Sequence, residues 1–143
     1  MTNCVTEIKE ADVIFVTGSN TTENHPVMGM YIRQAKKAGK KLIVADPVRI
    51  PLAEIADVYL QINPGTSVAL SNGMINVIFA EGLEDKEYIE KHTEGAAELR
   101  EFVKEYTPER VAEICGIDVE DLKKAAVYLN WAIEKAEGND DRP

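Results

Sequence analysis

The chain has 143 residues, 45% of them hydrophobic and 29% charged, with a formal net charge of -9. That is one domain's worth of chain, long enough to bury a core, and its acidic balance argues against a nucleic-acid or anionic-membrane surface, where phosphates need clustered Lys and Arg. No run approaches the roughly 20 apolar residues of a membrane span, and no basic-then-apolar signal opens the chain, so a cytoplasmic location is the expectation.

Three short apolar runs organise the first half: Val13-Ile14-Phe15-Val16-Thr17, Leu42-Ile43-Val44-Ala45 and Val58-Tyr59-Leu60-Gln61-Ile62. Each ends in a small polar loop: Gly18 to Pro26, Asp46-Pro47-Val48-Arg49, and Asn63-Pro64-Gly65-Thr66-Ser67. Helical patterns separate the runs, which predicts parallel strands joined by crossovers. All three loops then gather at the carboxyl edge of one sheet, where open α/β sheets bind nucleotides. After the first strand, Pro26 suits the first helical position, with Asn24 or His25 as cap. That helix is expected to run through Met30, Ile32 and Ala35 to Gly39, with Lys36 and Lys37 in its last turn. A short helical turn, Pro51 to Ile55, leads to the third strand.

Thr66 or Ser67 caps the next helix, which passes through Val68, Leu70, Ile75 and Ile78 and closes at Gly82. It is apolar on most faces, so burial against the sheet is expected. Asn72 and Asn76 then read as satisfied interior hydrogen bonds, and Gly73 as a point of close approach. Residues 83 to 137 read as helix throughout. Asp85 and Thr107-Pro108 supply caps, Gly116 is a stop, and Asp118 opens a last helix. Leu122, Ala125, Ala126 and Leu129 form its apolar stripe, which Trp131 and Ile133 extend less regularly. The expected architecture is α/β: a Rossmann-like three-layer sandwich with a mostly parallel sheet and a helical C-terminal half. It forms a single domain over residues 1–137, with a polar tail at 138–143.

The loops carry what chemistry there is. Gly18 lets the chain turn sharply and bring backbone N–H groups near a phosphate; Ser19, Asn20, Thr21 and Thr22 add side-chain donors. There is no GxGxxG. Asp46 suits ribose hydroxyls or equally the N1–H and N2–H of a guanine edge, and Arg49 offers charge to a phosphate or a plane to a base. The third loop joins a Pro-Gly turn to hydroxyls at a helix start. Each loop alone reads as an ordinary turn or cap; together, after successive strands, they point to a phosphate-bearing nucleotide.

Cys4, Cys115, His25 and His92 are isolated in sequence, which argues against a metal or redox site within the chain. Cys4 reads as a thiol in a flexible N-terminal segment and Cys115 as a small apolar residue at a helix end. No nucleophile with its base and no paired acid and base can be found. The chain reads as one that holds a cofactor, with no catalytic residue of its own.

At these loops the sequence resembles the molybdopterin oxidoreductases of the dimethyl-sulphoxide-reductase family, in particular the catalytic α subunit of molybdenum or tungsten formate dehydrogenases. The resemblance rests on Gly18-Ser19-Asn20-Thr21-Thr22-Glu23-Asn24-His25-Pro26, Lys41-Leu42-Ile43-Val44-Ala45-Asp46-Pro47, Ala56-Asp57 and Pro64-Gly65-Thr66. It continues through Asn72-Gly73-Met74, Glu81-Gly82-Leu83, Thr93-Glu94-Gly95 and Tyr106-Thr107-Pro108-Glu109-Arg110 to Gly116, and covers roughly residues 7 to 129.

Family members carry a bis(molybdopterin guanine dinucleotide) cofactor with Mo or W, and the matching region is one of the two Rossmann-like domains that hold it. The resemblance implies that the first loop meets the pyrophosphate and ribose, and that the other two hold the guanosine end. The implied cofactor-binding residues are Gly18, Ser19, Asn20, Glu23, Asp46, Arg49, Gly65 and Ser67. Two positions depart from the family pattern: Val48 stands where Arg usually follows Asp-Pro, and Ser67 where an acidic or amide residue is usual. The family's iron–sulphur cysteines, its metal-ligating Cys or selenocysteine, the catalytic His and Arg, and a C-terminal cofactor domain have no counterpart here. The resemblance therefore implies a cofactor-domain fragment, a split subunit or a truncated gene product, whose partners are the remaining domains or subunits of such an oxidoreductase. Two other readings compete. One is an NAD- or FAD-type nucleotide domain, like the middle domain of thiamine-diphosphate enzymes or sirtuin-like proteins; the other is a non-catalytic interaction module.

Overall fold

The computed structural model describes residues 4–136. The polar tail therefore lies outside the described residues, as does the side chain of Ile133. The chain divides into two compact units, Met1–Ile62 and Asn63–Pro143.

The first unit carries the sheet. Strands β1 (Val13–Thr17), β2 (Lys41–Ala45) and β3 (Val58–Leu60) lie in the order β1-β2-β3, all parallel. Val13 pairs with Lys41 and Thr17 with Ala45, while Ile43 pairs with Val58 and Ala45 with Leu60. Leu42, Ile43, Val44 and Ala45 are fully buried, so both faces of the central strand are covered. Such a two-sided strand reads as a continuous apolar run, as expected for parallel sheets.

On one face, Val16, Leu42 and Val44 pack with Ile32 of helix α2 (Pro26–Lys37) and with Ile50, Leu52 and Ala53 of the β2–β3 connection. Pro26 is the first residue of α2, as its fixed φ favours. The chain then turns at Gly39, whose φ of 91° suits only glycine well.

Four local features depart from the sequence reading. Thr21–Asn24, expected as loop, closes into a one-turn helix, α1. Gly29 makes room for it on α2: a Cβ there would lie 3.1 Å from the Thr22 Cα and 3.2 Å from the Thr21 carbonyl oxygen. The segment before β1 is not structureless either, because Val5–Lys9 forms a 3-10 turn packed on α2. β3 stops at Leu60 rather than Ile62, since the Ile62 N–H turns back onto the Leu60 carbonyl at 3.0 Å and leaves the ladder. Finally, Thr66 stands at the N-cap of the next helix but makes no side-chain cap; its hydroxyl donates back to the Asn63 carbonyl at 2.7 Å.

The second unit is helical: α3 (Ser67–Ala80), α4 (Lys86–His92), α5 (Ala96–Val103), α6 (Pro108–Cys115) and α7 (Val119–Ala136). The apolar α3 is buried among α5, α6 and α7. Gly73 is the point of close approach: a Cβ added there would sit 2.8 Å from both Val111 methyls. Asn76 is satisfied inside the bundle, donating to the Val103 carbonyl at 2.9 Å. Leu122, Ala125 and Ala126 bury the α7 stripe completely. The expected caps are present: Asp85 accepts from the Tyr88 N–H at 2.8 Å, and Thr107 from the Arg110 N–H at 3.4 Å. Among the described residues no helix is long and apolar enough to cross a membrane.

Candidate functional site

Six of the eight expected site residues, Gly18, Ser19, Asn20, Glu23, Asp46 and Arg49, belong to the first unit; Gly65 and Ser67 belong to the second. Parallel pairing brings the ends of the three strands together. The Gly18 N–H donates to the Ala45 carbonyl at 3.3 Å, which sets Gly18 beside the start of the Asp46 loop. The Asp46 N–H in turn donates to the Leu60 carbonyl at 3.2 Å, tying that loop to the end of β3. Gly18 takes a φ of 58°, the left-handed turn that a side chain would resist, and nothing approaches within 4 Å of where a Cβ would stand.

The Asp46 loop is braced from three sides. Asp46 Oδ1 accepts from the Val48 N–H at 2.8 Å, an Asx-type turn. Tyr59 Oη donates to the Asp46 carbonyl at 3.2 Å, and Gln61 Nε2 to the Pro47 carbonyl at 3.3 Å. Burial, followed by the neighbouring Asp46 carboxylate, raises the Tyr59 phenol above its ordinary pKa, so it stays a donor at neutral pH. Asp46 itself is only 9% exposed, and the protein donates to just one of its two carboxylate oxygens. Arg49 is paired with Glu54: its Nε and Nη2 meet that carboxylate at 2.6 and 3.3 Å.

In the first loop, Asn20 Oδ1, Thr21 Oγ1 and Thr22 Oγ1 are buried without a hydrogen-bond partner. Buried polar atoms are nearly always satisfied, which sets these three successive side chains apart from the other described residues of the first unit. Ser19 is half-buried beside them, and Glu23 projects into solvent from α1.

The third loop is fastened within the second unit. The Asn63 N–H donates to the Cys115 carbonyl at 2.8 Å and its Nδ2 to the Ile114 carbonyl at 3.2 Å, at the end of α6. Gly65 turns with a φ of 84° and Ser67 begins α3, both exposed. Cys115 closes α6 fully buried, its thiol pKa pushed up by that burial, whereas Cys4 is exposed.

Sequence reasoning missed Tyr59, Gln61 and Glu54. Tyr59 and Gln61 carried a usable signal: residues two apart in an extended segment face the same way, and both follow the core position Val58 by odd spacing. Glu54 carried none, since an exposed acid five residues from Arg49 has no preferred partner in sequence.

A parallel α/β sheet with polar loops at its carboxyl edge defines a broad class of ligand-holding folds, and comparison with known proteins narrows it. The molybdopterin oxidoreductase family model matches residues 1–140, and the chain belongs to that family. Among its relatives, the F420-dependent formate dehydrogenase subunit alpha of Methanocaldococcus jannaschii is 50% identical over 131 residues, covering 91% of this chain and 20% of that protein. Formate dehydrogenase H of Escherichia coli is 40% identical over 126 residues, covering 88% and 18%. Among solved structures, acetylene hydratase from Pelobacter acetylenicus matches with a TM-score of 0.77 at 39% identity, covering 86% of this chain and 18% of that one. The chain thus spans about a fifth of the length of the curated relatives it matches.

Proposed function

We propose that this chain is a cofactor-holding piece of a formate dehydrogenase-like molybdopterin oxidoreductase, and that it binds the guanosine arm of molybdopterin guanine dinucleotide. The observation that carries the reading is the carboxyl edge of the sheet in the first unit. There Gly18 lies beside the braced Asp46 loop, with one carboxylate oxygen uncommitted and the side-chain oxygen Asn20 Oδ1 unsatisfied on the neighbouring loop. Both are acceptors, suited to the hydroxyls of a ribose. Ser19 and the Gly18 backbone supply donors for a pyrophosphate, and Glu23 adds an acceptor at the mouth of the loop. Gly65 and Ser67 are assigned to the guanine end on the family resemblance alone.

In the complete enzyme the bound group supplies the metal chemistry. The residues of this chain bind and orient its nucleotide end. The purified chain should therefore show no formate oxidation, because the reaction needs a metal ligand and a proton acceptor at the metal, and neither is identifiable in this sequence; measurable turnover by the chain alone refutes the assignment. Its missing partners are the domains or subunits that bear the iron–sulphur cluster and the metal ligand. An isolated module should bind weakly, since affinity shared among linked sites falls when the other sites are removed.

Calorimetric titration of the full chain with GDP tests the site. Asp46→Ala should weaken binding by about 1–3 kcal/mol, the range for leaving hydrogen-bond partners unpaired, and His92→Ala should change it little. Equal losses at both positions, or tighter binding of NAD or FAD than of GDP, would overturn the reading in favour of a different nucleotide domain.

A further inference from the structure

We propose that Glu54 is a positioning residue for nucleotide binding: its carboxylate locks the Arg49 guanidinium in one orientation for a phosphate of the nucleotide. The proposal rests on the reading that the Asp46 loop holds a nucleotide, and it assigns a role to a residue outside that set.

Arg49 is a long, exposed side chain in the β2–β3 connection. Left alone it would sample many rotamers, and a ligand would have to freeze them. Glu54 removes that freedom at two points, through Nε at 2.6 Å and Nη2 at 3.3 Å. Both ends of the pair are mounted on fixed backbone. Ile50, next to Arg49, is 4% exposed, and Leu52 and Ala53, just before Glu54, are 0% and 7% exposed. Glu54 itself lies on the 3-10 turn Ala53–Ile55.

An exposed ion pair contributes little to the stability of a fold. Its effect on the guanidinium is geometric: two hydrogen bonds to one carboxylate fix the plane of the group. Of the five guanidinium N–H donors, Glu54 takes one on Nε and one on Nη2. Both donors on Nη1 and the second on Nη2 remain, coplanar and directed away from Glu54. That geometry suits oxygens of a phosphate, which guanidinium groups recognise by directed hydrogen bonds.

The test is titration of the full chain with GDP and, in parallel, with guanosine, which lacks the phosphates. Glu54→Ala should weaken GDP binding about three- to tenfold, the effect of freezing one rotamer-rich side chain on binding, and should leave guanosine binding unchanged. Glu54→Gln keeps an oxygen to accept from Nε and should restore part of the loss. In an Arg49→Ala background, Glu54→Ala should have no further effect. A purely structural role would lower GDP and guanosine binding together, and a carboxylate that merely competes with phosphate would make Glu54→Ala bind GDP more tightly; either result overturns the proposal. Failure of the parent chain to bind both ligands would instead overturn the nucleotide reading itself, and this role with it.

Discussion

The two units of the chain carry their charge differently. Residues 1–62 hold seven basic and seven acidic side chains, whereas residues 63–143 hold nine basic and eighteen acidic ones. The whole net charge of -9 therefore belongs to the second, helical unit. The first unit is neutral, its basic and acidic side chains in balance. Global acidity therefore describes a solvated helix surface and says nothing against phosphate binding at the sheet edge. The units also satisfy their backbones differently. The second relies on helix caps at Asp85 and Thr107, whereas the first ties loop to strand end through Gly18, Asp46 and Leu60.

The sharpest way to break this contrast is to empty the core of the first unit. Leu42, fully buried on β2, packs with Val16, Ile32 and Leu52. Leu42→Ala should cost about 2–5 kcal/mol in urea unfolding, the range for buried Leu truncation; a loss well below that would mean the neutral unit is a loose appendage rather than a packed scaffold.

In the second unit the corresponding weak point is Gly116. It ends α6 at a φ of 73°, and a Cβ would meet the Asn63 amide nitrogen at 2.9 Å. Gly116→Ala should destabilise the chain by about 1–3 kcal/mol in urea unfolding, from left-handed strain and crowding of Asn63. An unchanged unfolding free energy would show that this helix end tolerates a side chain and is no weak point of the helical unit.

A smaller, pH-dependent effect is expected at Asp57, which closes the amino edge of the sheet. Its carboxylate meets Lys36 Nζ at 2.7 and 2.8 Å and accepts the Leu42 N–H at 2.7 Å. Burial alone would raise its pKa, but the Lys36 contact and the Leu42 N–H together bring it below the ordinary value. A group with a lowered folded pKa stabilises fully above its unfolded value, about 4 for Asp, and loses that contribution as pH falls through the folded value. Asp57→Asn should therefore cost about 1 kcal/mol near neutrality, and the gap from the parent should close in acid. A gap that widens in acid would reverse the sign of this linkage.

The smallest effect belongs to the acidic surface. Lys91 and Glu87 pair along α4, both well exposed. Lys91→Ala should change stability by about 0.3–0.5 kcal/mol at low salt and by less in high salt, as exposed i,i+4 pairs do. A larger loss would make that surface part of the core architecture.

Much of this arrangement was legible beforehand because it depends on local chemistry. The strand runs, Pro26, Gly39, Asp85, Thr107 and Gly116 each act through their own backbone or a near neighbour, so their roles survive in any fold that contains them. Gly73 was legible for a related reason, since a glycine within an otherwise apolar helix signals contact. The short helix at Thr21–Asn24 was not legible, because its packing depends on Gly29 a turn of α2 away. Nor was the Arg49–Glu54 pair, which forms only once Ile50 and Leu52 anchor the connection between them.

The sequence by itself determined the parallel α/β order, the family, and which loops could meet a ligand. Alternating apolar runs and helix signals permit few topologies, and motif order is a property of the chain. Only the tertiary structure decided how each polar side chain is spent. It turned Arg49 to Glu54, committed one oxygen of Asp46 to its own loop, recruited Tyr59 and Gln61 as braces, and left the Asn20 side-chain oxygen without a partner. Those outcomes depend on distances between residues far apart in the chain or free to rotate, and such distances are set only when the core packs.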